Sequence, residues 1–128
     1  MNKQIAFIAG IGVIAYLSLI PTAQFNGLTG SVVKILGLSL NDQFGGITVL
    51  KWIHYFGHFG AYFIMGMLIY NWREELKRRR LLIGLAGLFV FSLILEGSQV
   101  FWTDRQCSLD AIVMNLAGLA AAAGTRLR

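Results

Sequence analysis

Between Leu81 and Trp102 the chain reads "LLIGLAGLFVFSLILEGSQVFW", and this run restricts the possible folds more than any other feature. It carries one ionisable side chain, Glu96, in a stretch long enough to cross a bilayer, because a spanning helix needs about 20 apolar residues. An acid inside hydrocarbon is costly, so Glu96 has to face other helices or water rather than lipid. Three more apolar runs flank this one. The pattern predicts spans over about 5–20, 50–70, 81–102 and 109–124, the first stopped by Pro21 and the first and last being short.

Composition agrees with that reading. Hydrophobic residues make up 56% of the 128 and charged residues 13%, where a globular protein has about 25% charged. A mean hydropathy of +0.65 leaves more apolar surface than a water-soluble body of this length can hide. The expected architecture is all-α: one domain, a membrane four-helix bundle over residues 1–128, with a short amphipathic helix in the first external loop. The start, with Lys3, an apolar core and then "PTAQ", has the outline of a signal peptide. It lacks a small-x-small cleavage site, so an uncleaved first helix is expected.

The charge is +5, but its placement does not suit nucleic acid. Arg73, Lys77, Arg78, Arg79 and Arg80 sit in the single block "REELKRRR" between two apolar runs, and Arg126 and Arg128 close the chain. Basic residues beside spans mark the cytoplasmic face and anionic lipid heads. With both termini inside, these residues and Lys3 are cytoplasmic, against Lys34, Lys51 and Arg105 outside. Trp52, Trp72 and Trp102 fall near predicted span ends, where indoles favour the interface. The loop from Gln24 to Gly46 then lies outside. Its middle, "SVVKILGLSL", predicts the amphipathic helix, and "FNGLTG" and "NDQFGG" predict turns on either side. The Ala- and Gly-rich end of the fourth run, "LAGLAAAAG", suits close helix packing. Cys107 is the only cysteine, so neither a disulfide nor a zinc framework is expected.

The polar residues that interrupt these runs carry the chemistry. His54, His58 and Tyr62 are four apart and share one stripe of a helix, and Glu96 and Gln99 share a face three apart. Asp110 and Asn115 are five apart, about 140° around their helix. At a rise of about 1.5 Å per residue, His58, Glu96 and Asn115 all lie roughly 10 Å below the outer boundary, with His54, Gln99 and Asp110 shallower. Arg105 sits in the tight connection "TDRQCS". Such a cluster is either interhelical glue or a pocket. Arg105 and the histidines favour an anion, and a His and a Glu at one depth suit proton exchange. His54, His58 and Glu96 are of zinc-ligand type, but H-x3-H without a glutamate on the same helix lacks the usual metal motif. No cofactor is expected.

"HFGAYFIMG" from His58, followed by "EGSQ" and then by Arg105, Ser108, Asn115 and Gly118, resembles the VanZ-like family of small bacterial membrane proteins. The matching positions are His58, Phe59, Tyr62, Gly66, Glu96, Gln99, Arg105, Ser108, Asn115 and Gly118. Asp110 stands one residue earlier than the family's aspartate, a place held here by Ala111. The resemblance implies a multi-pass protein of the bacterial inner membrane and a cell-envelope ligand, and it supplies no reaction. The expected partners are membrane lipids and an anionic lipid-linked or cell-wall-related ligand, with no nucleic acid. Two alternatives stay open: an accessory subunit of a larger membrane protein complex, and a membrane-embedded hydrolase of lipid-linked phosphate or sugar.

Overall fold

The computed structural model describes residues 2–71, 78–102 and 108–125. Five helices account for nearly all of them: α1 (Lys3–Leu19), α2 (Thr22–Ile35), α3 (Val49–Asn71), α4 (Arg78–Trp102) and α5 (Leu109–Gly124). A two-residue hairpin, β1 (Gln43–Phe44) and β2 (Ile47–Thr48), precedes α3. The chain is all-α apart from that hairpin.

Local chemistry sets the boundaries. The Asn2 side chain caps α1 by accepting from the Gln4 amide. Pro21 has no N–H to extend the helix, and Ile20 before it is extended at φ −71° and ψ 147°. The axis therefore turns by 111° into α2. The loop helix was expected over "SVVKILGLSL" with a turn at "FNGLTG"; instead the helix starts directly after Pro21 and runs through Gly27 and Gly30. The fixed φ of proline favours a helix start at this point. The Thr29 and Ser31 hydroxyls donate back to the carbonyls of Phe25 and Gly27, at 2.9 Å each. At the other end Gly37 takes φ +71°, and the amides of Gly37 and Leu38 reach the carbonyls of Lys34 and Val33. That is a Schellman stop.

The turn expected at "NDQFGG" forms around Gly45 and Gly46, both at positive φ as a type I′ hairpin requires. The Trp52 indole donates to the Phe44 carbonyl at 3.1 Å, which ties the hairpin to the start of α3. Ser108 caps α5, and Asp110 stands in its first turn, the favourable end of the helix dipole for an acid.

Two contacts give the arrangement of the helices. Lys3 Nζ donates to the Asn71 carbonyl at 2.9 Å, so α1 starts where α3 ends. Thr125 meets the Met67 sulfur at 3.3 Å, so α5 also ends there. The helices alternate in direction. Lys3, Thr125 and the Arg78–Arg80 start of α4 share one end of the bundle. Lys34, Lys51, Asp42 and Asp110 belong to the opposite end.

The core contains Tyr62, Met65, Ile69, Leu88 and Leu119, with Phe7, Ile11 and Ile14 of α1 packed against it. The closest packing is between α3 and α5. A Cβ on Gly118 would run into the Phe59 carbonyl and the Phe63 amide, and one on Gly66 would come within 2.6 Å of Ala122 Cβ. Ala111, Gly118 and Ala122 are buried in this seam, so the small-residue face of α5 is occupied inside the protein.

At 24 residues from Arg78 to Phe101, α4 is long and apolar enough on its own to cross a membrane. Only 22% of its apolar window is buried within the protein. The bent pair of α1 and α2 also passes when taken together, and α5 is a shorter apolar helix. The run over 50–70 was expected to qualify as readily as α4. Helix α3 is long enough at 23 residues, but its stripe of His54, Tyr55, His58 and Tyr62 lowers its hydropathy, and it falls short of the same test.

The seam yields a stability prediction. Gly118→Ala forces the backbones of α3 and α5 apart and should cost about 1–3 kcal/mol. Gly12→Ala meets nothing within 4 Å and should be neutral or slightly stabilising. Thermal unfolding of both variants in detergent should show a lowered midpoint for Gly118→Ala alone.

Candidate functional site

A small polar cluster is buried within an otherwise apolar interior. Among the described residues the buried polar side chains are Ser92, Glu96, Gln99 and Asn115, while large apolar side chains cover the outside of α1, α4 and α5. Glu96 is 2% exposed, and Phe101, five residues further along the same helix and so about 140° around it, is 85% exposed. A helix repeats every 3.6 residues, so Leu88, Ser92, Leu95, Glu96 and Gln99 form one inward stripe. The sequence "SLILEGSQ" turns its serine, glutamate and glutamine inward and its Leu93 and Ile94 outward.

The inward groups meet. His58 Nδ1 lies 2.8 Å from Asn115 Oδ1 and 3.8 Å from Glu96 Oε1. The Asn115 amide donates to Ser92 Oγ at 2.7 Å. With its oxygen turned to the histidine, Asn115 requires a proton on His58 Nδ1. The Tyr62 phenol stands beside the Ser92 hydroxyl and near the Glu96 carboxyl. One bonded chain therefore links His58 and Asn115 to Ser92, and Glu96 and Tyr62 lie against it, so that α3, α4 and α5 are joined.

On the side away from α5 this cluster opens into a cavity of about 100 Å³. Its walls come from α1 (Ile14, Leu17, Ser18), from Phe25 at the start of α2, and from His54, Gly57, His58, Ala61 and Tyr62 of α3, with Glu96 at its base. The His54 ring stands edge-on to His58, with centroids 4.4 Å apart. The bend at Pro21 makes the enclosure possible, because it brings Phe25 back towards α3.

The structure brings together His54, His58, Tyr62, Glu96 and Asn115, and buries Gln99 one turn from Glu96 on the same face. It sets Asp110 apart. That side chain is exposed at the start of α5 and accepts from the Tyr55 hydroxyl at 3.1 Å, on a ring that also carries Lys51 Nζ 5.7 Å from its centroid. The cause is angular: five residues of helix rotate Asp110 away from the face of Asn115. Arg105 and Cys107 lie outside the described residues. Among the described residues, no three His, Cys, Asp or Glu side chains converge as metal ligands.

Ser92 is the participant that sequence reasoning passed over, as an ordinary small residue in an apolar run. A signal was present, since Ser92, Glu96 and Gln99 follow the i, i+4, i+7 spacing of one helix face. Comparison with protein-family models, with curated proteins and with solved structures finds no match to this chain.

Two outcomes test this geometry. Asn115→Ala removes one buried partner from each of His58 and Ser92 and should destabilise by about 1–2 kcal/mol, whereas exposed Asp110→Asn should stay within about 0.5 kcal/mol of the parent. A double-mutant cycle on His58→Ala and Asn115→Ala, read by unfolding in detergent, should give a coupling of about 0.5–2 kcal/mol. A coupling of zero would mean that the 2.8 Å contact is not an energetic one.

Proposed function

We propose that this protein is a multi-pass protein of the bacterial inner membrane, similar to the VanZ-like family, whose polar pocket binds an anionic, lipid-linked component of the cell envelope. The apolar outer surface around an enclosed polar cluster carries the membrane part. Burying apolar area stabilises a protein by about 25 cal/mol per Å² in water. A water-soluble chain would not leave Ile8, Ile35, Phe101 and Leu109 mostly exposed while enclosing a carboxyl group. In this reading α1, α3, α4 and α5 cross the membrane and α2 lies over its outer face. The basic end with Lys3, Arg78, Arg79 and Arg80 is cytoplasmic, and both termini are inside. The pocket then lies in the outer leaflet.

Magnitudes favour binding over glue. An acidic residue at the centre of a span costs roughly 2.5–3.5 kcal/mol, and an interhelical hydrogen bond inside a membrane returns about 0.6 kcal/mol on average. Packing alone is a poor reason to retain Glu96, His58, Asn115, Gln99 and Ser92. Protonated, the His54 and His58 rings at the cavity edge donate hydrogen bonds to an anion, His58 through Nε2 because its Nδ1–H is directed at Asn115, and the apolar walls suit a ligand delivered from the bilayer. Arg105, in the connection between the helices that carry Glu96 and Asn115, is proposed to add a second cation for the head group. The accessory-subunit reading loses its most natural docking face, because Gly118 and Ala122 are buried against α3.

Topology is tested by single cysteines in a Cys107→Ser background. Asn41→Cys should react with an impermeant maleimide applied from the periplasmic side, and Asn2→Cys only after lysis; the reverse pattern would overturn the orientation. Binding is tested in nanodiscs of neutral lipid to which anionic lipids are added. His58→Ala and Arg105→Ala should each weaken binding at least tenfold. Equal binding by the parent and both variants, for every anionic lipid tried, would remove the pocket from the function.

A further inference from the structure

Beside the polar pocket, on the other flank of α3, runs an open apolar groove of about 720 Å³. Its walls are Leu38 from the loop after α2, Phe44 from the hairpin, and Trp52 and Phe56 from α3. The groove is a built feature. Trp52 is held by its bond to the Phe44 carbonyl and stacks on Phe56 with ring centroids 5.5 Å apart and planes within 18°. Among the described residues, no ionisable side chain lines it.

The two hollows meet. Ile53 and Gly57 line both the pocket and the groove. They are four apart on α3 and form the ridge between the face carrying His54 and His58 and the face carrying Trp52 and Phe56. At Gly57 the ridge has no side chain, and a Cβ there would meet nothing within 4 Å. The low point of the ridge is therefore a notch connecting a small chamber edged by His54, His58 and Glu96 to a larger apolar trough.

We propose that the ligand is a single-chain amphiphile, its anionic head in the His54–His58–Glu96 pocket and its hydrocarbon chain passing over Gly57 into the groove between the hairpin and α3. This rests on the pocket reading above and adds the chain to it. The pocket, at about 100 Å³, admits a head group and no tail. The groove supplies apolar and aromatic surface with nothing to recognise a head. The trough that opens from the pocket over Gly57 has room for a hydrocarbon chain. The roles divide accordingly: the pocket selects the charge, the groove supplies affinity by burying methylenes, and the hairpin holds Trp52 in place.

Trp52 makes the occupant visible. With Trp72→Phe and Trp102→Phe, the groove residue is the only tryptophan left of the three. The full chain in neutral-lipid nanodiscs is titrated with 11-bromoundecyl phosphate, whose bromine quenches indole fluorescence on contact, and with 11-bromoundecanol, which has the same chain and no anion. The phosphate should quench Trp52 saturably, at concentrations at least tenfold below the alcohol, and excess methyl phosphate should reverse the quenching. Gly57→Leu fills the notch and should weaken quenching at least tenfold; Phe56→Ser, at an exposed position on the groove wall, should weaken it as well and guards against a folding defect in the first variant. Equal quenching by alcohol and phosphate, with no effect of methyl phosphate, would show ordinary bilayer lipid in the groove and overturn the proposal. Quenching that fades as more copies are loaded per disc would place a second copy of the chain there and also overturn it. If methyl phosphate binds by calorimetry but the bromophosphate leaves Trp52 unquenched, the pocket reading survives and the chain path does not. If neither binds, both fall.

Discussion

Because Gly118 has no side chain, the backbone of α5 rests against the Phe59 carbonyl and the Phe63 amide of α3. That approach sets the spacing on which the polar interior depends. His58 precedes Phe59 by one residue, and Asn115 precedes Gly118 by three. The same close contact therefore brings the histidine within 2.8 Å of the amide oxygen. Helices separated by even a methyl group more would lose a bond that tolerates only a few tenths of an ångström. Ala122 opposite Gly66 continues the seam towards the basic end, so the alignment is held along its length and not at one point.

A protein built this way has its usual energetics rearranged. In the proposed bilayer setting, lipid removes most of the hydrophobic drive between helices, and close packing and polar contacts hold them together. The α3–α5 seam supplies the first, and the His58–Asn115–Ser92 chain supplies the second. Glu96 belongs with the second, since it lies 3.8 Å from the histidine, and it also lines the cavity.

Much of the helical layout could be read from the residues, and the exceptions have physical causes. Runs read at about 50–70, 81–102 and 109–124 correspond to helices Val49–Asn71, Arg78–Trp102 and Leu109–Gly124, because long apolar segments with polar ends leave few alternatives. The loop helix was misplaced because Gly27 and Gly30 were weighed as breakers, while the helix-starting effect of Pro21 and the back-bonding of Thr29 and Ser31 prevail. The hairpin escaped because two residues per strand carry no periodicity. Among the candidate site residues, those on regular helices could be placed by counting turns, which is how His58, Glu96 and Asn115 come out level. Asp110 could not be given its partner, since Tyr55 attracts attention only once α3 and α5 are packed. Ser92 was hidden by its near-neutral hydropathy, which makes a working hydroxyl look like filler.

Helix α1 buries none of its residues fully. Where it meets α3 at Gly10 its neighbour is the Met65 thioether, a flexible and polarisable group. The other walls of the pocket are fastened by hydrogen bonds, by the glycine seam or by the tethered hairpin. Lys3 ties the start of α1 to the Asn71 carbonyl, and Phe7, Ile11 and Ile14 hold its inner face by dispersion contacts. In the proposed membrane setting this is the wall of the pocket beside the lipid, and a guest from the bilayer would enter past it without first passing through water.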